Sequence, residues 1–108
     1  LPFDAGKLAE LRAQGTSVFL YFTADWCVTC KVNEAAAINR DETIRLFEAK
    51  GIKVMVGDFT RRDAAIARFL TEHGRSGVPL YLFYPRRGEA KELPQILTPD
   101  IIAEAIES

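Results

Sequence analysis

The stretch that decides the fold is TADWCVTCKVNE, at residues 23–34. It contains the two cysteines of the chain, Cys27 and Cys30, in a C-x-x-C arrangement. An apolar run precedes the pair and a helical pattern follows it, so we predict that a strand ends and a helix begins here. At positions i and i+3 of a first helical turn, the two side chains share one face and can form a disulfide bond.

The predicted helix start also indicates how the two thiols differ. Free N–H groups and the positive end of the helix dipole stabilise a thiolate at this position. We therefore predict that Cys27 is the exposed nucleophile and that Cys30, one turn deeper, is the buried resolving thiol. Cys27 would attack a disulfide of another protein, and Cys30 would then release that protein from the mixed disulfide.

Other roles for the cysteine pair stay open at this point. A purely structural disulfide would close a very short loop and would stabilise the fold little. A zinc site usually has four ligands, whereas only the two cysteines and the distant His73 are available. Two thiolates suit Cu(I), so a copper-handling module is an alternative. At a predicted helix end before Gly74, we expect His73 to be an exposed residue favoured by the helix dipole rather than a catalytic base.

Composition limits the class of protein. The chain has 108 residues, 48% of them hydrophobic, which fits one domain over residues 1–108 with a single packed core. The net charge of −1 lacks the basic excess of nucleic-acid binders, so no nucleic-acid partner is predicted. No apolar run reaches the roughly 18–20 residues that cross a bilayer. The first residues do not resemble a signal peptide, and we expect a processed or excised domain.

Helical and strand patterns alternate along the chain. The predicted helices cover residues 5–14, 28–38, 42–50, 61–73 and 99–107. Their predicted N-caps, where a capping residue is present, are Asp4, Asp41, Thr60 and Thr98. Asp63 is predicted at the third position of the fourth helix. The predicted strands cover residues 17–23, 52–56 and 80–84, and a weaker edge strand covers 89–93.

With the two consecutive helices after the first strand counted as one helical unit, the order is α-β-α-β-α-β-β-α, which predicts an α/β fold. Helices between strands favour parallel pairing, and the final hairpin adds an antiparallel edge. We therefore predict a thioredoxin-like fold, which has a central mixed sheet flanked by helices and a C-x-x-C at the N-terminus of a helix.

Charged side chains near the cysteines are candidates for tuning the thiols. Asp25 lies two residues before Cys27, and Glu34 lies one helical turn after Cys30. A carboxylate near a thiolate raises the pKa of the thiol, which argues against an extreme oxidant. Lys31 would act in the opposite direction, but we expect it to be solvated. The alternative that Asp25 and Glu34 are simple surface charges stays open.

The stretch at residues 23–34 resembles the active-site segment of DsbD-type membrane disulfide reductases, in their C-terminal thioredoxin-like (gamma) domain. The resemblance extends to GDFTRRD at residues 57–63, GRSGVPLY at 74–81 and LPQILTP at 93–99. A bare C-x-x-C would be a weak indicator, whereas the combination of Ala-Asp-Trp-Cys-Val-x-Cys-Lys with Gly-Val-Pro is specific. The group includes the related suppressor-of-copper-sensitivity reductases, and this domain does not separate the two branches.

The resemblance implies a protein-disulfide reductase whose only redox group is the Cys27–Cys30 disulfide, with no cofactor and no metal. Electrons would come from a membrane-embedded domain. They would pass to other domains of the same membrane reductase, or to periplasmic thioredoxin-like disulfide isomerases or reductases. The domain would lie at the periplasmic face of the bacterial inner membrane. A stand-alone periplasmic oxidant or isomerase with the same fold is an alternative.

The resemblance also implies roles for residues outside the cysteine pair. Pro79, after Val78, would follow a cis peptide bond and face the disulfide, with Trp26 beside it on the docking surface. Residue type alone favours a trans bond, since only about 5–6% of X-Pro bonds are cis. Members of the group often carry an acidic residue six positions before the first cysteine, where this chain has Tyr21. We therefore hypothesise that Glu34 assists proton transfer at the resolving thiol.

Overall fold

A computed structural model describes residues 1–107 of the chain. Its helices are α1 (Ala5–Ala13), α2 (Val28–Asn33), α3 (Asp41–Ala49), α4 (Ala64–Glu72) and α5 (Pro99–Glu107). Its strands are β1 (Val18–Thr23), β2 (Lys53–Asp58), β3 (Leu80–Tyr84) and β4 (Lys91–Glu92). A π-helical segment, Glu34–Ile38, directly continues α2, where the sequence predicts one uniform helix. None of the helices within residues 1–107 is long and apolar enough to cross a membrane.

The strand order of the sheet is β2-β1-β3-β4, with β1 buried along its whole length. β1 is parallel to β2 and antiparallel to β3, so the predicted mixed sheet is confirmed. The sequence predicts that strands separated by a helix pair in parallel, and this is wrong for β3, which is antiparallel to β1. Phe22 pairs with Gly57 near the end of β2 and with Leu80 at the start of β3. The chain therefore returns to the same end of the sheet after α4, and β3 runs in the opposite direction.

Helices cover both faces of the sheet because successive residues of β1 point to opposite sides. Leu20 belongs to a buried cluster that contains both cysteines and residues of α1 and α4. Phe19 and Tyr21 belong to a second cluster, which contains residues of α3 and α5. The C-x-x-C follows β1 directly, at the end of the sheet where β2 finishes and β3 begins.

The start of α4 differs from the prediction. Asp63 is the N-cap residue, and its carboxylate accepts the backbone N–H groups of Ala65 at 2.9 Å and Ile66 at 3.1 Å. The prediction that Thr60 caps this helix is wrong because Arg62 has a left-handed backbone, with φ of 54°. A right-handed helix cannot run through such a residue. Thr60 is therefore part of the loop between β2 and α4.

Other predicted ends shift by short distances. Asp41 is the first residue of α3 and not its cap, which is Arg40. The predicted edge strand at residues 89–93 is confined to β4, and β2 extends to Asp58, beyond its predicted end. The cap of α1 is correct, since the Asp4 carboxylate accepts the N–H of Lys7 at 2.9 Å.

Burial raises the pKa of all three tyrosines of the chain, Tyr21, Tyr81 and Tyr84. The pKa of Tyr21 rises furthest, from 10.0 to about 12, because burial, then the Glu34 carboxylate and then Tyr81 disfavour the phenolate. A neutral Tyr21 thus stabilises the fold fully below the pKa of an unfolded tyrosine. This stabilisation is lost as the pH rises from 10 through about 12.

We predict that Tyr21→Phe removes the phenol ionisation near pH 12 from the folded protein. An alkaline titration followed by phenolate absorbance measures this directly. The variant should also lose less unfolding free energy than the wild type between pH 10 and 12, because its side chain has no proton to release. A wild-type protein in which every tyrosine ionises near pH 10 while folded would contradict the prediction.

Candidate active site

The cysteine pair forms a disulfide at the start of α2, with the two Cα atoms 5.3 Å apart. Cys27 is the N-cap residue, and its Sγ accepts the backbone N–H of Cys30 at 3.2 Å. The sulfur therefore lies where the helix N-terminus offers N–H groups and positive potential. Cys30 is fully buried, as predicted, but Cys27 is only 8% exposed and far less accessible than predicted. It too packs in the cluster formed with α1 and α4.

Two residues of the predicted docking surface come from the loop before β3. The peptide bond between Val78 and Pro79 is cis, as the resemblance implies. Val78 is partly buried against the cluster that contains both cysteines, and Pro79 is buried. Trp26 is 48% exposed and directly precedes Cys27. An aromatic ring therefore lies on the surface next to the disulfide.

Of the two candidate carboxylates near the disulfide, Asp25 and Glu34, the structure holds Glu34 in a defined place. Its side chain is only 17% exposed, and it accepts a hydrogen bond of 2.5 Å from the Thr23 hydroxyl. Lys31 is 46% exposed, in agreement with the prediction of a solvated lysine, and it approaches Glu34 at 3.4 Å and Asp25 at 3.9 Å. The Asp25 side chain is 80% exposed. The alternative of a surface charge therefore holds for Asp25 and fails for Glu34.

Tyr21 occupies the position where the resemblance would place a buried acid. Its pKa of about 12 keeps the phenol protonated at neutral pH, so it cannot accept a proton there. Tyr21 also belongs to the cluster with α3 and α5, whereas Cys30 belongs to the cluster on the other face of the sheet. The partly buried Glu34 carboxylate lies one helical turn after Cys30, on the segment that continues α2.

Thr60 has contacts at the site that no pattern in the sequence predicts. Its hydroxyl accepts the backbone N–H of Asp25 at 2.8 Å, and its carbonyl accepts the indole N–H of Trp26 at 3.1 Å. The Asp58 carboxylate in turn accepts the N–H of Thr60 at 2.9 Å and its hydroxyl at 2.5 Å. An aspartate that accepts the N–H two residues later forms an Asx turn. The Asp-x-Thr spacing was thus an available signal for this turn.

Asn33 is a second residue that sequence analysis misses. It is buried on α2, and its amide N–H groups donate to the Tyr81 hydroxyl at 2.9 Å and the Gln95 carbonyl at 2.7 Å. Its carbonyl accepts the N–H of Leu97 at 3.0 Å. These bonds tie α2 to β3 and to the segment before α5, and a buried partner left unpaired would cost about 1–3 kcal/mol. No local pattern marks this asparagine, since all three partners are distant in sequence.

His73 is the C-cap residue of α4 and is half-buried, so the prediction of an exposed residue is wrong. Its ring stacks on Phe69 with centroids 4.3 Å apart, and its Nδ1 lies 2.9 Å from the Phe69 carbonyl oxygen. Packing on its own helix therefore accounts for this histidine. Across residues 1–107, no three His, Cys, Asp or Glu side chains are grouped so that they could hold a metal ion.

Comparison with known proteins identifies the family. A thioredoxin-like family model matches residues 3–85. The thiol:disulfide interchange protein DsbD of Vibrio cholerae is 33% identical over 82 residues, which cover 76% of this chain and 13% of that protein. DsbD of Pseudomonas fluorescens is 29% identical over 100 residues, which cover 93% of this chain and 17% of that protein. The chain thus spans less than a fifth of the length of these curated relatives.

A solved structure agrees with this result. The C-terminal domain of Neisseria meningitidis DsbD in its oxidised form superposes with a TM-score of 0.73 and 24% sequence identity. The match covers 94% of this chain and 91% of that domain, which establishes the common fold. The chain therefore belongs to the thioredoxin-like family, and it is similar in sequence to one part of the DsbD proteins.

Proposed function

We propose that this chain is the reductase domain of a DsbD-type electron relay, in which Cys27 is the nucleophile and Cys30 the resolving thiol. The observation that carries the proposal is the disulfide at the start of α2, with the Cys27 sulfur accepting the N–H of Cys30. Similarity to thiol:disulfide interchange proteins over 76–93% of this chain supports the exchange reaction, and reduction as its direction is part of the proposal.

In the first step, the reduced domain meets a partner disulfide. The N-terminus of α2 stabilises Cys27 as a thiolate, which attacks one sulfur of the partner. A bond forms between Cys27 and this sulfur while the partner's S–S bond breaks. The second partner sulfur leaves as a thiolate and takes up a proton.

In the second step, Cys30 loses its proton and attacks the Cys27 sulfur. The mixed disulfide breaks, the Cys27–Cys30 bond forms, and the partner leaves as a dithiol after a second protonation. Two electrons have then moved from the domain to its partner, and of the two protons that the partner has taken up, Cys30 releases one and the solvent supplies the other. The disulfide in the structure corresponds to the oxidised domain at the end of these two reaction steps.

Partner docking would involve the surface around the disulfide. Trp26 offers a half-exposed aromatic ring directly before Cys27, and Val28, directly after it, is 76% exposed. Val78 and Pro79 would border the disulfide from the loop before β3. Exposed apolar groups next to a reactive bond suit a protein partner, because their burial favours association. Asp25 would add a solvated negative charge at the edge of this surface.

Glu34 would manage the proton of the resolving thiol. It lies one helical turn after Cys30, partly buried and anchored by Thr23 and Lys31. Tyr21 remains protonated up to about pH 12, which leaves the carboxylate as the nearby base. A fixed negative charge here would also raise the thiol pKa and favour electron donation over strong oxidation.

We further propose that the domain, residues 1–108, works at the periplasmic face of the bacterial inner membrane with no cofactor other than its disulfide. It would receive electrons from a membrane-embedded domain. It would deliver them to other domains of the same reductase or to periplasmic thioredoxin-like disulfide isomerases and reductases. The DsbD relatives are several times longer than this chain, which supports the presence of such neighbouring domains.

Trapping tests the roles of the two cysteines. Cys30→Ser should accumulate a mixed disulfide with a partner through Cys27, because the resolving step is removed. Cys27→Ser should accumulate none, since Cys30 is fully buried. Electrophoresis without reductant, after each reduced variant is mixed with a disulfide-containing periplasmic thioredoxin-like protein, measures the adduct. Equal trapping by both variants would contradict the assignment.

The reduction potential of the Cys27–Cys30 pair tests the direction of electron flow. Equilibration against a defined thiol buffer should give a value at or below about −200 mV, the range of thioredoxin and glutaredoxins. A value near about −120 mV, typical of the strong oxidant DsbA, would mean that the domain accepts electrons from its partners. The stand-alone oxidant would then be the better description.

Glu34→Gln tests the proposed proton carrier. Loss of the charge should lower the pKa of the Cys27 thiol, lower the pKa of Tyr21 and slow the release of the partner. Thiol alkylation against pH, phenolate absorbance and stopped-flow exchange measure these three effects. Glu42→Gln, the same change on the exposed start of α3, is the matched control. If Glu34→Gln altered neither the Cys27 pKa nor the exchange rate, Glu34 would have no part in the reaction.

A further inference from the structure

The loop that follows β2 holds the segment between β1 and the disulfide. The N–H of Phe59 donates to the Thr23 carbonyl at 2.7 Å and extends the pairing of β1 with β2 by one bond. Thr60 then accepts the backbone N–H of Asp25 with its hydroxyl and the indole N–H of Trp26 with its carbonyl. Both residues that lead into Cys27 are therefore bonded to one threonine of another chain segment.

Thr60 is itself held in place by Asp58. Asp58 is the last residue of β2 and pairs with Thr23 in the sheet, so its backbone has a set position. Its carboxylate accepts both the N–H and the hydroxyl of Thr60. These two hydrogen bonds hold the pKa of Asp58 below its usual range, so the carboxylate remains a charged acceptor at neutral pH. The Thr60 hydroxyl thus donates to Asp58 and accepts from Asp25 at the same time.

Arg62 covers one face of the same indole. Its guanidinium carbon lies 4.7 Å from the centroid of the Trp26 ring, within the range of a cation–π interaction. The left-handed backbone of Arg62, with φ of 54°, is uncommon for a residue other than glycine, and such conformations concentrate at functional sites. Trp26 is thus held at its N–H edge by Thr60 and on one face by Arg62, yet stays half-exposed beside Cys27.

We propose that Thr60 is a positioning residue, which fixes the indole of Trp26 beside the disulfide for the docking of protein partners. The proposal rests on the function proposed above. An indole that is already ordered loses less conformational freedom when a partner covers it, so association is tighter. A small disulfide reaches the sulfur without covering the indole and gains little from this order. Thr60 therefore raises the rate of exchange with protein disulfides relative to the rate with small disulfides.

Thr60→Val tests this selectivity, because it removes the hydroxyl and keeps the shape of the side chain. The measured quantity is the ratio of two rates at which the reduced domain is oxidised, one by insulin and one by bis(2-hydroxyethyl) disulfide. We expect this ratio to fall by a factor of roughly 2 to 10, the equivalent of one hydrogen bond. Thr60→Ser keeps the hydroxyl and should retain the wild-type ratio.

Fluorescence gives a second readout, because Trp26 is the only tryptophan of the chain. Acrylamide should quench the emission of Thr60→Val more strongly than that of the wild type, because the loss of the hydroxyl bonds to Asp25 and Asp58 loosens the backbone carbonyl that accepts the indole N–H. Thr71→Val is the matched control. The Thr71 hydroxyl donates to the Ala67 carbonyl on the surface of α4, and its loss should change neither the rate ratio nor the quenching.

Each outcome decides the proposal. An unchanged ratio in Thr60→Val, or an equal slowing with both disulfides, would overturn it. If thermal melting shows that Thr60→Val does not fold, Asp58→Ala takes its place, because it releases Thr60 from its turn and should lower the ratio in the same direction. A wild-type domain that reduces neither disulfide would refute the proposed function. A wild type that reduces only the small disulfide would refute selectivity for proteins, and with it the role of Thr60.

Discussion

The pairing of β1 with its two neighbours is the constraint on which the site depends. β1 is buried on both faces, and a slip of one residue would turn each of its side chains to the wrong face. In this register, Phe22 lies between Gly57 of β2 and Leu80 of β3. A Cβ atom at Gly57 would clash with the Phe22 ring, so glycine permits this pairing. Three chain segments consequently meet at the end of β1, where the disulfide lies.

The charges around the disulfide are arranged in two ways. Glu34 is partly buried and bonded to the Thr23 hydroxyl, whereas Asp25 extends into solvent with only a distant approach from Lys31. An exposed ion pair contributes little to stability, so the partly buried hydrogen bond between Thr23 and Glu34 is the more important contact. Tyr21 fills the interior position as a neutral group, because burial disfavours its phenolate. The Glu34 carboxylate thus lies on the helical segment that continues α2, and the protonated Tyr21 lies on β1.

The site is also held by polar side chains whose hydrogen bonds lie outside the regular pairing of the sheet and the helices. Thr60 connects the loop after β2 to the residues before Cys27, and Asn33 connects α2 to the segment before α5. Both use nearly all of their hydrogen-bonding capacity, which favours one arrangement of these segments over others. The disulfide is therefore presented by a surface whose loops are fixed on both sides of α2.

The sequence by itself determined the features that depend on near neighbours along the chain. The spacing of Cys27 and Cys30 sets a helix start with both sulfurs on one turn, and Asp4 caps α1 through a residue three positions away. Only the tertiary structure decided the direction of β3 and the roles of Thr60 and Asn33. The contacts of these two residues join positions 35 and 62 residues apart. The physical reason is that such bonds form only after the sheet has brought distant segments together, so no local pattern of residues encodes them.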